Sequence, residues 1–314
     1  MTRTAADKSL AAGSRSALDP DGTSSGLAEG AVRVDDLARQ LRALGVIPGD
    51  LLVVHTSFRA VRPVENGPSG LIEALQLAAR GGTILMPSWP ERAVEPFDTR
   101  RTPVSRDLGV VAEVFRTVPN AVRANHAASF AAWGPRASEL LRDPMPLPPH
   151  RLESPVGRAW QLDGKVLLLG VGHEANTTIH LAEVLQAVPY GIEHRCRIRD
   201  SSGERVIAYF ENDHCCERFA LLDAWLDDHR TGAQSKGPVG AAAARLVSSR
   251  ALVSVARAEL EKDPLVFLHP PGACSECDQA RSSIPSGRTL GAHRDLSGPT
   301  TSSGGTRADS KKRT

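Results

Sequence analysis

The 314-residue chain has no run of about 18 apolar residues, so no segment reads as a membrane-spanning helix. Residues 1–30 carry charges but no apolar core of about 7–15 residues, and so do not read as a secretory leader. Cysteine is scarce: five in all, an odd number, which does not suggest a disulfide framework. A reducing, cytoplasmic location is therefore the expectation. Charge of one sign is also lacking. Lys and Arg total 38 against 36 Asp and Glu, a net of +2. That balance argues against a nucleic-acid partner, whose binders carry a marked basic excess. No internal repeat is visible.

What is present is an ordinary globular composition. Hydrophobic residues are 41%, and the 27 glycines bring the apolar share to about half. The two ends differ from the middle. Residues 1–30 are rich in Ala, Ser, Gly, Asp and Thr, and residues 281–314 are polar, Gly/Ser-rich and basic. Neither can bury enough apolar surface to offset its ordering entropy, so both are expected to be disordered. Residues 31–280 are long enough for one α/β domain. Removing the basic C-terminal stretch leaves a remainder with more acidic than basic groups.

Within that domain, helical patterns and buried-strand patterns alternate. VDDLARQLRAL (34–44) has helical apolar spacing, with Gly45 as C-cap. LLVV (51–54), TILM (83–86) and KVLLL (165–169) are continuous apolar runs that follow turns, the signature of buried parallel strands. Helices are predicted over 68–79, 108–117, 177–187 and 217–227, and a strand over 205–210. The alternation predicts a single layered α/β domain, whose ligand sites gather where strands end and helices begin.

The richest segment follows the third apolar run: GVGHEANTTIHLAE, residues 170–183. A strand ends in a glycine turn and delivers polar residues into a helix start, with Thr177 or Thr178 as the predicted cap. His180 and Glu183 are spaced i, i+3 and share one helix face. His173 lies in the loop before them. Two imidazoles and a carboxylate at such a place make an acid/base site. After the first strand, His55, Thr56, Ser57 and Phe58 offer a turn that suits an anion or an amide chain, though an ST-turn needs no ligand. Ser105, Arg106 and Asp107 precede a helix in a similar way. Ser105 or Asp107 can cap it, and Arg106 can meet a phosphate.

Local acidity is concentrated between Glu211 and Asp228, with six carboxylates and one Arg. Glu211 and Asp213 stand out because they follow a strand. They suit a cationic substrate or the orientation of a catalytic His. Cys274-Ser-Glu-Cys277, preceded by His269, is too small a ligand set for a zinc site unless Cys215 and Cys216 fold onto it. A surface or structural role without metal is the expectation. His126 and His150 receive no role.

In this order, GDLLVVHTSF, GGTILMPSW, FDTRRTPVSRDLGVVAEVFR, SFAAWGP, SPVGRAWQLDGKVLLLGVGHEANTTIHLAE and PYGIEHRC resemble the aminoglycoside N3-acetyltransferase family. The resemblance runs from about Arg33 to Cys277. It implies an α/β fold of the aminoglycoside 3-N-acetyltransferase type, not the GCN5-type, whose pyrophosphate loop is not evident here. It implies acetyl transfer from acetyl-CoA to the 3-amino group of a 2-deoxystreptamine ring, which inactivates the antibiotic, with no resident metal and a monomer or homodimer as the working unit. An ammonium group must lose a proton before it attacks a thioester, so a base is required. His180 is preferred over His173 because a helix holds it more firmly, with Glu211 or Glu183 orienting it. His55, Thr56, Ser57, Phe58, Ser105 and Arg106 are placed on the CoA side by analogy. Asp213, Glu183 and Asp107 are the candidates for holding the polycationic sugar. The matched catalytic segment holds no Cys, so direct transfer without an acyl-enzyme is expected. Ahead of SFAA, the family pattern Arg-Ser-x-His-Pro is replaced by Arg123-Ala124-Asn125-His126-Ala127, so no family role is carried onto His126. Three rival readings remain open: a metal-dependent amide hydrolase built on His173, His180 and Glu183; a sequestering protein that no longer turns over; and an acetyltransferase for another amine.

Overall fold

A computed structural model describes residues 30–91, 96–142, 148–228 and 232–285 of the chain. Nearly all of both predicted tails lies outside these residues, as does part of the Pro-rich 143–150 stretch. Among the described residues, no helix is long and apolar enough to cross a membrane.

In chain order the elements are α1 (Val34–Leu44), β1 (Leu51–Thr56), α2 (Phe58–Val61), α3 (Gly67–Ala78), β2 (Thr83–Pro87), α4 (Gly109–Phe115), β3 (Val122–Arg123), β4 (Phe130–Trp133), α5 (Ala137–Leu140) and α6 (Pro155–Gln161). There follow β5 (Lys165–Leu169), α7 (Ile179–Leu185), β6 (Ile192–Asp200), β7 (Gly203–Glu211), α8 (Leu222–Asp228), β8 (Gln234–Val239), β9 (Ala242–Ser248), α9 (Ser249–Lys262) and α10 (Ser275–Ser282). Seven strands form one sheet in the order β3-β4-β2-β1-β5-β9-β8. β1 pairs parallel with both β2 and β5, and the outer pairs are antiparallel. β6 and β7 form a separate two-stranded hairpin.

The three apolar runs are buried because helices cover both faces of the central sheet. Alternation along each strand splits the core in two. Leu52, Val54, Ile84, Met86, Leu167 and Leu169 face α1, α3 and α4. Leu51, Val53, Leu85, Val166 and Leu168 face α6, α7 and α9. Each fully buried Leu or Val contributes roughly 1.5–3 kcal/mol over an exposed one, so these few strands anchor the domain.

Local signals hold where backbone chemistry is simple. Gly45 caps α1 with φ 118°, donating to the carbonyls of Arg42 and Leu41. Other expectations change. Neither threonine side chain caps α7; the Asn176 Oδ1 accepts the Thr178 N–H at 3.1 Å instead, and Thr177 turns toward His55. The 108–117 segment starts as a 3-10 turn at Arg106–Leu108, with the Ser105 Oγ accepting from the Asp107 N–H. The 217–227 segment is a 3-10 turn over Glu217–Leu221 before α8. α10 runs to Ser282, and the Ser283 hydroxyl accepts the Gly191 N–H at 2.9 Å.

Candidate active site

The C-terminal ends of β1, β2 and β5 open into a cavity of about 660 Å³, within the range of a drug-sized ligand site. The sheet supplies its floor: His55 and Thr56 from β1, Pro87 at the end of β2 with Trp89 just after it, and Asn176 and Thr177 after β5. β5 ends at Gly170, where φ is +68° and a Cβ would lie 2.5 Å from that of Ala60. Only glycine meets both demands, which is why the GVGH turn can drop its polar residues directly beneath the cavity. The β6–β7 hairpin forms one wall, held by a bridge between Phe97 and Ile198.

His180 is the reactive group best placed in this cavity. It sits one residue into α7, whose helical pitch brings Glu183 onto the same face. His180 Nδ1 and Glu183 Oε2 are 2.6 Å apart. The other Glu183 oxygen accepts from Tyr190 OH at 2.5 Å and His214 Nε2 at 2.9 Å. Burial would raise the Glu183 pKa, but His214 and His180 outweigh it and push it down to about 2. An ionised carboxylate only accepts, so the Nδ1 of His180 carries a proton. Its Nε2 is then the titrating position. Burial opposes the imidazolium, but Cys216 and Glu183 together raise the His180 pKa well above 6.5. Cys216 is itself raised by burial, so near neutral pH it is a thiol and the charge felt by His180 is that of Glu183. His150 stacks on His180 with ring centroids 4.8 Å apart, and Phe219 closes it edge-on at 5.1 Å.

Glu183 itself is fully buried, does not line the cavity and has both oxygens occupied. The structure thus places Glu183 against His180 rather than on the cavity surface where a substrate-holding carboxylate was expected. Glu211 does line the cavity, but its ion-pair partner is the His150 Nδ1 at 3.1 Å rather than His180. His173 does not line the cavity. It is fully buried, bonded to Gln234 at 2.8 Å and Asn176 at 3.2 Å, and burial lowers its pKa. These bonds tie His173 to the turn after β5 and to β8, away from the cavity lining. The metal-capable group here is His180, Glu183 and His214, so the ligand set expected for an amide hydrolase is not assembled.

The family profile described as aminoglycoside 3-N-acetyltransferase matches residues 53–261, two thirds of the chain and the whole of this cavity's floor. The chain belongs to the aminoglycoside 3-N-acetyltransferase family. It is 54% identical to aminoglycoside N(3)-acetyltransferase IV of Salmonella sp over 240 residues, 76% of this chain and 91% of that one. It is 32% identical to aminoglycoside N(3)-acetyltransferase VII of Streptomyces paromomycinus, over 74% and 93% of the two chains. The solved aminoglycoside acetyltransferase AAC(3)-IVa superposes with a TM-score of 0.77, covering 81% of this chain and 98% of that one. A histidine-to-alanine mutant of that enzyme has been solved with a gentamicin and with apramycin. AAC-IIIb, 28% identical with a TM-score of 0.66 over 74% and 97%, has been solved with CoASH. The chain is an aminoglycoside 3-N-acetyltransferase of α/β fold.

The remaining site residues of the acetyltransferase divide by position. Asp107 and Asp213 line the cavity, joined by Glu91, Glu174 and Glu211; the arginines there are Arg195 and Arg197. The excess of carboxylates favours a polycation. Within the acidic 211–228 stretch, Asp223 pairs with Arg245 at 2.7 Å and Asp227 with Lys236 at 2.6 Å, both away from the cavity lining. On the expected CoA side, His55 and Thr56 line the cavity, and burial lowers the His55 pKa to about 3. Ser57, Phe58, Ser105 and Arg106 do not line it. Phe58 packs on the core, Ser105 caps its turn, and Arg106 is exposed one residue before Asp107.

Three cavity groups were not found from sequence. His150 and His194 come from segments without a local motif. Cys216 Sγ lies 3.5 Å from His180 Nε2, 36 positions away in sequence. The absence of cysteine from the matched segment therefore says nothing about the folded site. The only signal was Cys215-Cys216 next to His214.

Proposed function

We propose that the enzyme transfers the acetyl group of acetyl-CoA directly to the 3-amino group of a 2-deoxystreptamine aminoglycoside, within a ternary complex and with His180 as the general base. The His180–Glu183 dyad carries this reading. Its Nδ1 proton is committed to Glu183, which leaves Nε2 to take the ammonium proton. The freed amine attacks the thioester carbonyl, the C–S bond breaks, and the second proton shed by the nitrogen as the amide forms balances the one taken up by the departing CoA thiolate. Glu183 stabilises the imidazolium formed on the way. The CoASH complex of AAC-IIIb supports acetyl-CoA as donor, and the gentamicin and apramycin complexes of a histidine mutant fit a histidine that drug binding does not require. Arg106, as an exposed guanidinium, suits a CoA phosphate.

The five cavity carboxylates would hold the drug's ammonium groups. Asp213→Asn is expected to raise KM for the aminoglycoside about tenfold and leave KM for acetyl-CoA unchanged, as one charged hydrogen bond contributes about 1.5–3 kcal/mol. Steady-state kinetics with each substrate varied checks this. An equal rise in both KM values would remove Asp213 from the drug subsite.

Cys216 offers a rival, an acetyl-enzyme on its sulfur. Its thiol contacts the His214 carbonyl at 3.3 Å, and its raised pKa keeps it protonated and poorly nucleophilic. Cys216→Ala is therefore expected to keep turnover within about tenfold of the parent, since removing a true nucleophile costs several orders of magnitude. Mass spectrometry of enzyme mixed with acetyl-CoA alone tests the same point, and an adduct of one acetyl group on Cys216 would overturn direct transfer.

A further inference from the structure

Beyond the cavity, metal-capable side chains are concentrated where two short loops meet. Cys215 lies in the turn after β7, and His269, Cys274 and Cys277 belong to the loop before α10 and its first turn. The Sγ atoms of Cys215 and Cys277 are 3.6 Å apart. Two sulfurs bound to one tetrahedral metal at about 2.3 Å stand about 3.8 Å from each other. A disulfide would need about 2.05 Å. The Cys274 thiol is within hydrogen-bonding reach of both sulfurs, and two groups of ligand-type atoms, each within 4.8 Å of one another, share Cys215: His214 with Cys215 and Cys277, and Cys215 with Glu217 and His269. The His269 Nε2 is enclosed by protein and makes no aligned hydrogen bond, although a Glu217 oxygen is 3.2 Å away. Backbone N–H groups of Glu276 and Cys277 point at Cys274 Sγ, and that of Glu217 at Cys215 Sγ. Amide donors aimed at sulfur are the outer support of thiolate ligands.

We propose that Cys215, His269, Cys274 and Cys277 bind one structural zinc ion. Three thiols and one imidazole complete a closed tetrahedral set, and loading releases the three thiol protons to solvent. The resulting net charge of −1 has a nearby counter-charge in Arg281, which donates to the His269 carbonyl at 2.5 Å. The region also needs such a tie. Its apolar cluster is the smallest of the three in the fold, with Tyr190, Leu268, Cys277 and Ala280 as its fully buried members. That is too little apolar surface to hold two loops together. The ion would act on the catalytic machinery through position alone: Cys215 is bonded to Cys216 and His214, which touch His180 and Glu183. This replaces the metal-free role expected from one CxxC motif.

The test is elemental analysis of the full-length enzyme, purified without chelator and exchanged into metal-free buffer. About one zinc per chain is expected. Replacement by cobalt should give thiolate-to-cobalt charge-transfer absorption with the visible bands of tetrahedral cobalt. Cys274→Ser and His269→Gln should each lose most of the zinc, while His180→Ala keeps it. A zinc-free enzyme that develops no cobalt–thiolate band on titration would overturn the proposal. So would zinc kept by Cys274→Ser but lost by His180→Ala, which would move the metal to His180, Glu183 and His214. A Cys215–Cys277 disulfide found by peptide mapping of the freshly isolated enzyme would overturn it as well. The wild-type measurements decide the matter even if a variant fails to fold.

Discussion

His180→Ala should lower kcat about 10²–10⁴-fold, the usual worth of a positioned general base. Binding of CoA and of the aminoglycoside should change little. The residue is only 9% exposed where it lines the cavity. Truncation leaves the carboxylates that would hold the drug untouched. CoA release measured with a thiol reagent reads turnover, and calorimetry reads both affinities. Undiminished turnover would put the base elsewhere, with His150 next in line because it is stacked on His180 and paired with Glu211. A collapse of drug affinity without loss of kcat would make His180 a binding residue.

The second large effect concerns Glu183. Because Cys216 and Glu183 together hold the His180 pKa well above 6.5, the acid limb of kcat/KM in the parent should lie above an ordinary histidine value. Glu183→Gln removes the carboxylate charge, so the limb should move to lower pH while kcat falls by about 10² or more from loss of the enforced tautomer. A merely structural carboxylate would lower activity without moving the limb. The same charge affects folding. A carboxylate depressed to about 2 in the folded state contributes stability that is present above about pH 4.5 and fades as pH falls toward 2. His180 has the opposite sign: its raised pKa stabilises the fold below pH 6.5, and the benefit is lost as pH rises through the folded value. Urea midpoints of parent and Glu183→Gln should therefore differ most near neutral pH and converge in acid. A constant gap across that range would separate Glu183 from the acid limb of stability.

The sheet's centre was legible in the sequence because a parallel strand covered on both faces has no polar side to hide: LLVV, TILM and KVLLL are three such runs, and all three pair as neighbours. The hairpin's second strand was also visible, but not its partner or its separation from the main sheet. β6 reads IEHRCRIRD, a strand wet on one side and charged along most of its length, which has no apolar period strong enough to mark it. β8, with QSKGPV, is an edge strand whose polar residues and proline suit an edge and disguise a strand. α9 was missed although its packing face is regular, since Leu252, Val253, Val255, Ala256 and Leu260 are all buried.

For the site, the i, i+3 spacing of His180 and Glu183 carried through to a 2.6 Å contact because both belong to one helix. The partners that complete it did not show. His150, His214 and Cys216 reach His180 only through tertiary folding, and no short-range pattern encodes a stack between residues about 30 positions apart. Composition misled in one respect. The acidic 211–228 segment looked like a single drug-facing surface, yet Arg245 and Lys236 from the neighbouring strands neutralise its helical half.

The β6–β7 hairpin shares no ladder with the seven-stranded sheet, yet it brings Arg195, Arg197, Tyr209 and Glu211 to the cavity. Part of the cavity wall thus stands apart from the sheet, although the turn that leaves β7 delivers His214 and Cys216 to Glu183 and His180. Exchanges along the hairpin's inner face would therefore reshape the cavity wall while leaving the strands and helix that carry His180 and Glu183 in place.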